Sequence, residues 1–185
     1  MKIIKRIVLA ILIIIAIGLL FRGWFYRNLI IYKSVGQRTN YLVTDRKLAD
    51  YIELSVGEKK DPDIKDIIKL SLSITSHQLN FTASRNYNDP NKLIYSKTAH
   101  CVGYASFFAT TCNYLLKKYE LGGTWTAKPQ IGQLYFLGTN INKFFKSSFF
   151  KDHDFVTIEN KAACEIFAVD PTLNDYFYID FVTYK

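Results

Sequence analysis

A thiol, an imidazole and a carboxylate occur in the order Cys101, His153, Asp170, each where a secondary-structure element begins or ends. Cys101 opens the apolar stretch Cys101-Val-Gly-Tyr-Ala-Ser-Phe-Phe-Ala109, which reads as the start of a buried helix. His153 opens the strand-like run His153-Asp-Phe-Val-Thr-Ile158, and Asp170 closes Cys164-Glu-Ile-Phe-Ala-Val-Asp170 before Pro171. That combination suits nucleophilic catalysis by a cysteine, with a histidine as its base and an aspartate holding the histidine in one tautomer. A cysteine at a helix start meets the positive end of the helix dipole and free backbone N–H groups, both of which favour a negatively charged sulfur. The same N–H groups, that of Cys101 included, suit the oxyanion of a tetrahedral intermediate. The competing reading is a small core cysteine with no chemistry.

The two strand-like runs flank Glu159-Asn160-Lys161 and predict a hairpin. A turn that sets Glu159 opposite Cys164 places His153 directly opposite Asp170. One that sets Glu159 opposite Ala162 places His153 opposite Ala168, with Asp170 a diagonal neighbour. Both leave the imidazole and the carboxylate on one face; a shift of one residue would separate them.

The elements that must carry these residues read as helices first and strands later. Asp45 to Leu54 has helical spacing of Leu48, Tyr51 and Ile52 behind a capping carboxylate. Asp61-Pro62 starts a second helix, with Pro62 in its first turn, that runs to about His77. Residues 82–98 are polar, with a turn at Asp89-Pro90. Cys101, Ala105, Phe108, Cys112 and Leu115 share one helical face, predicting a core helix to about Lys118 that ends on a left-handed cap at Gly122 or Gly123. Strands are expected at 124–127, 133–137, 155–158, 164–169 and 176–182. The fold class is therefore α+β, a central buried helix packed on an antiparallel sheet.

Cys101-Val-Gly-Tyr-Ala105 with Ser-Phe-Phe after it, then His153, then Val169-Asp170-Pro171-Thr172, resembles the transglutaminase-like superfamily and its papain-like core. The resemblance spans roughly residues 70–180. It implies acyl-enzyme chemistry on peptide or protein amides by a Cys101–His153–Asp170 triad: peptide hydrolysis, glutamine deamidation or crosslinking. It also includes inactive members that bind a peptide or protein partner. It implies no metal or cofactor; calcium-dependent relatives exist, but no calcium-loop pattern is visible here. His100 stands where members commonly carry Gly, and Asp154-Phe155 where they tend to carry Ala-Trp, departures that bear on substrate class.

Other assignments of these residues are weaker. His100 adjoins Cys101, but sequence neighbours at a helix start diverge, so it reads as a wall residue. His77 reads as an exposed or half-buried helix residue. A zinc site drawn from His100, Cys101, Cys112, His153 and Cys164 lacks close-spaced ligand pairs. Tyr95, Gln78 and Asn80 are the upstream candidates for an oxyanion donor, and nothing selects among them. Phe144, Phe145, Phe149 and Phe150 precede His153 and read as core packing, with a substrate lip or membrane-touching loop as the rival. Three cysteines without close spacing argue against a disulfide framework, although a Cys112–Cys164 bridge stays open.

The net charge of +8 suggests nucleic acid until it is divided along the chain. Seven of the 24 basic residues and none of the 16 acidic ones fall within residues 1–44, leaving 17 against 16 for the remainder. A nucleic-acid surface would need its excess on the folded domain. The excess instead flanks Ile7–Phe21, fifteen uncharged residues preceded by Lys2, Lys5 and Arg6 and followed by Arg22, Trp24, Phe25 and Tyr26. This pattern predicts a membrane anchor over 1–23, a juxtamembrane linker over 24–44 and a transglutaminase-like domain over 45–185. A cleaved signal peptide is the rival, but no Ala-x-Ala step follows the apolar run. The soluble part is expected outside the cytoplasm. Positive charges balance across the span, and oligomeric state is not legible.

Overall fold

The computed structural model describes residues 2–57 and 61–185. Among these, seven α-helices and a mixed six-stranded sheet make an α+β fold. Helix α1 (Lys2–Leu20) contains the window Ile3–Leu20, of mean hydropathy 2.8, none of it buried. At 1.5 Å per residue that window is about 27 Å long, near the ~30 Å apolar thickness of a bilayer. It is long and apolar enough to cross a membrane.

Residues 24–44, expected as a linker, are instead part of the folded body. Helix α2 (Arg22–Leu29) follows α1 after one residue, with Phe21 N–H bonded to Ile17 O and Phe25 N–H to Phe21 O. Strand β1 (Ile30–Gln37) comes next. It lies inside the sheet, between β4 (Trp125–Phe136) and β8 (Thr183–Tyr184), antiparallel to the first and parallel to the second. The parallel pair makes the sheet mixed rather than antiparallel.

Helix α3 (Arg46–Ser55) is capped by Asp45, whose carboxylate accepts from Lys47 and Leu48 N–H. Helix α4 (Ile64–Gln78) starts at a reciprocal capping box of Asp63 and Asp66, so Pro62 lies just outside the helix rather than in its first turn. Asp89 and Pro90 do not merely turn the chain. They are the cap and first residue of α5 (Pro90–Ser96). Short strands β2 (Asn80–Phe81) and β3 (Thr98–Ala99) pair in parallel, bringing the chain to Cys101.

Helix α6 (Cys101–Lys118) is the centre of the molecule, with thirteen buried residues. It packs on α4, on β4 and on β6 (His153–Asn160), and Tyr104, Ala105, Phe108, Cys112 and Leu115 share a core with Trp125, Ala127, Val156 and Ile158. The left-handed residue after α6 is Glu120, at φ 59°, not a glycine; Leu121 N–H then reaches back to Leu116 O. Strand β4 is one twelve-residue strand where two were expected. Strand β5 (Thr139–Asn140) folds back on its end, and two 3-10 turns, Ile141–Phe144 and Ser148–Phe150, lead into β6.

Strand β7 (Ile166–Val169) completes the hairpin with β6, and Glu159 faces Ile166. The loop is longer than either expected turn because Asn160 Oδ1 gathers the N–H groups of Ala162 and Ala163 and Cys164 takes a left-handed conformation. Parity survives the longer loop, so Asp170 is a diagonal neighbour of His153 on the same face. The strand expected over 176–182 does not form. Asp170 and Pro171 instead cap and open α7 (Pro171–Phe177), leaving only the two-residue β8.

Candidate active site

Three elements deliver the site. Cys101 is the first residue of α6, with His100 at the cap position in extended conformation and Tyr104 N–H making the first helical bond to His100 O. The N–H groups of a helix's first turn have no intrahelical acceptor. Gly103 lets this turn approach β3: a Cβ there would stand 2.7 Å from Ala99 Cβ. His153 is the first residue of β6 and pairs with Gly132 of β4. A Cβ on Gly132 would lie 2.6 Å from His153 O and 2.7 Å from Phe155 Cδ1, so only glycine lets the two strands close here.

His153 Nε2 lies 2.5 Å from Asp170 Oδ2. With the carboxylate accepting, that nitrogen carries the proton, and Nδ1 of the neutral ring keeps its lone pair. The Cys101 thiol shares a cavity of about 330 Å³ with His153 and is one of the groups that influence the imidazole. Burial pushes the imidazole pKa down, but the Asp170 charge and hydrogen bond, with a further contribution from Cys101, raise it well above its ordinary value. The three residues are thus brought together. Cys101 is 8 % exposed and reaches solvent through this cavity.

Asp170 is buried and fully engaged. Oδ1 accepts Leu173 N–H at 3.0 Å, capping α7, while Oδ2 accepts both His153 and the Tyr32 hydroxyl, the latter at 2.7 Å. Burial raises its pKa. The charge and hydrogen bond of His153, the Leu173 amide and the Tyr32 hydroxyl more than offset this, holding the carboxyl below the ordinary carboxylate range. Tyr32 is wholly buried, and burial first, then the Asp170 charge, keeps its phenol protonated. Its one proton goes to Asp170, so the Tyr26 hydroxyl, 2.6 Å away, donates to Tyr32. A chain Tyr26–Tyr32–Asp170–His153 therefore runs from α2 to the imidazole.

Beside the thiol lies a second pair. Asp154, fully buried, accepts two bonds from Arg38, at 2.8 and 3.0 Å. Burial raises the Asp154 pKa against the pull of Arg38, while the hydrogen bond to Asp154 is the main influence raising that of Arg38, with Cys101 the smallest. His100 is half-buried beside this pair, and burial lowers its pKa. It occupies the cap position of α6 and, unlike the wall residue expected, does not line the cavity shared by Cys101 and His153.

The oxyanion candidates are committed elsewhere or face solvent. Gln78 Nε2 donates to Ile94 O, Tyr95 donates to Asp45, and Asn80 is exposed. Thr172 Oγ1 is buried without a partner among the described residues, and Thr172 borders the cavity of Cys101 and His153. Phe81, Leu134, Phe145, Phe149 and Phe150 supply its apolar wall. The core packing expected of the phenylalanines does not occur: Phe144, Phe145 and Phe150 are exposed. The cysteines are free; Cys112 is buried in the core and Cys164 is exposed. His77 is an exposed residue of the last turn of α4. Among the described residues no cluster of His, Cys, Asp or Glu is placed to hold a metal ion.

Tyr26, Tyr32, Arg38 and Gly132 were not found from sequence. Tyr32 and Arg38 meet partners more than a hundred positions away, so no local spacing reveals them. No family model, curated protein or solved structure matches the chain.

Proposed function

We propose that the chain is a membrane-anchored cysteine enzyme acting on peptide or protein amides, resembling the transglutaminase-like superfamily with its papain-like core. The observation that carries this reading is the placement of His153 between a buried carboxylate and the thiol that opens a buried helix. Cys101 Sγ attacks the amide carbonyl while its proton passes to His153 Nδ1. The oxyanion is held by first-turn N–H groups of α6. His153 then protonates the leaving amine, giving an acyl-enzyme that water, activated by the same imidazole, hydrolyses. Asp170 stabilises the imidazolium and fixes the tautomer. Hydrolysis is favoured over crosslinking because no second site for an amine is identified. Helix α1 anchors the protein, with the folded part outside the cytoplasm.

A panel of peptide vinyl sulfones tests this with the full chain in detergent micelles. The expected result is an adduct on Cys101 by mass spectrometry, lost in His153→Ala. Adducts confined to Cys164 would reject the enzyme reading in favour of a non-catalytic module that binds a peptide or protein partner at the membrane.

A further inference from the structure

The segment between β5 and β6 has a composition that neither the core nor the triad explains. Lys143-Phe-Phe-Lys-Ser-Ser-Phe-Phe-Lys151 holds four phenylalanines and three lysines with no acidic residue. Phe144 is 74 % exposed, and Phe145 and Phe150 are each nearly half exposed. Clustered exposed rings of this kind mark a surface that meets another apolar phase. Phenylalanines interleaved with lysines match the two layers of a lipid interface, rings below the headgroups and ammonium groups among them.

The position of the segment says which surface. It is fastened by Asn142, whose Oδ1 accepts Leu134 N–H at 2.7 Å and whose Nδ2 donates to Phe150 O at 2.9 Å. The end of β4 is in turn fastened to the end of α2, one short helix beyond α1: Phe136 pairs with Ile30, and Leu137 N–H bonds to Leu29 O. The end of α7 is tied to the start of α2, since Arg22 Nε donates to Phe177 O at 2.7 Å. Leu137 and Phe177 are both exposed. The β4 turn and the end of α7 are therefore both held along α2, the short helix that follows α1 directly, and Asn142 holds residues 143–151 to β4.

We propose that residues 143–151 are a lip seated on the anionic bilayer surface that α1 enters, independently of the span itself. Phe144 and its neighbours insert among the acyl chains, and Lys143, Lys146 and Lys151 sit among anionic headgroups. Phe145, Phe149 and Phe150 also wall the cavity of Cys101, so the mouth of that cavity opens at the lipid surface. The seating needs no turnover, so it stands or falls apart from the proposed enzyme activity.

The test reconstitutes the full chain carrying Phe144→Trp in vesicles of acyl-brominated phosphatidylcholine, with and without roughly a third phosphatidylglycerol. Emission added relative to the parent reports on the lip, since Trp24 and Trp125 are common to both. The expected result is loss of roughly half or more of that added emission to bromine in the anionic vesicles. Less loss is expected without the anionic lipid, or when Lys143, Lys146 and Lys151 are all changed to Glu. Added emission that acrylamide quenches and bromine does not would overturn the proposal. Bromine quenching indifferent to lipid charge and to the three Glu substitutions would overturn the anionic partner.

Discussion

Tyr32→Phe isolates the hydrogen-bond chain that reaches the carboxylate from α2. The substitution removes one hydroxyl and keeps the ring, so the contacts to Phe155 and His153, at centroid distances of 5.2 and 6.2 Å, survive. Asp170 Oδ2 loses a 2.7 Å bond and Tyr26 loses its acceptor. A hydrogen bond to a charged group is worth about 1.5–3 kcal/mol, and the half-buried Tyr26 bond about 0.5–1 kcal/mol. Asp170 keeps two of its donors, which places the total near ~2 kcal/mol. At roughly 2–4 °C per kcal/mol for a chain of this size, Tm falls by about 5 °C. Tyr26→Phe removes only the outer bond and costs about 1 kcal/mol or less. Because the two hydroxyls act in series, that cost largely disappears in a Tyr32→Phe background. Tyr32 is one of the groups holding the Asp170 pKa below its ordinary value. Its stabilisation is therefore full above the unfolded carboxylate range and is lost as pH falls through the folded pKa. Thermal melts followed by circular dichroism in detergent, with both single variants and the double, supply the numbers. An unchanged Tm for Tyr32→Phe, or strictly additive costs, would refute the chain.

Asp170→Asn leaves one acceptor oxygen where the carboxylate has two, so the α7 cap and the His153 bond cannot both survive, and it removes the charge that raises the imidazole pKa. The alkaline limb of Cys101 alkylation against pH moves to lower pH, and an unmoved limb would deny the coupling. His153 contributes stability that is present below its unfolded pKa and is lost as pH rises through the folded one, and the variant forfeits that contribution. Gly132→Ala forces β4 off the His153 carbonyl, costing about 1–3 kcal/mol in denaturant melts, and it slows Cys101 labelling by displacing the imidazole. Arg38→Ala leaves Asp154 buried without its partner and destabilises by about 3 kcal/mol or more; equal costs for this variant and Asp154→Asn would contradict the account.

Where one stretch of chain decides, the sequence was readable. The stripe from Cys101 to Leu115 produces α6, and the carboxylate before residue 46 caps α3, whereas α4 is capped by Asp63, two residues past the expected start at Asp61-Pro62. The parity of the β6–β7 hairpin also held, although its turn is longer than expected because the Asn160 side chain, not the strands, shapes it. Two misreadings share a cause. Asp89-Pro90 and Asp170-Pro171 read as a turn and as a strand end, yet an acceptor followed by a ring with fixed φ is also a helix start. Strand β1 went unseen because its flanks look like a linker and only Tyr32 along it is buried. The partners of Tyr32 and Arg38 lie across the fold, where no spacing rule reaches. Phe144, Phe145 and Phe150 read as core packing because apolarity alone does not distinguish a core from an exposed surface.

Alkylation of Cys101 in the full chain tests the central claim most directly. Cys164 is exposed and must first be replaced by Ser, whereas Cys112 is buried in the core, its thiol pushed up to about 12 by burial. In Cys164→Ser protein, iodoacetamide at neutral pH should modify Cys101 and leave Cys112 untouched until unfolding, with His153→Ala slowing the reaction about tenfold or more. Modification of Cys101 at the same rate with and without the imidazole would contradict the account.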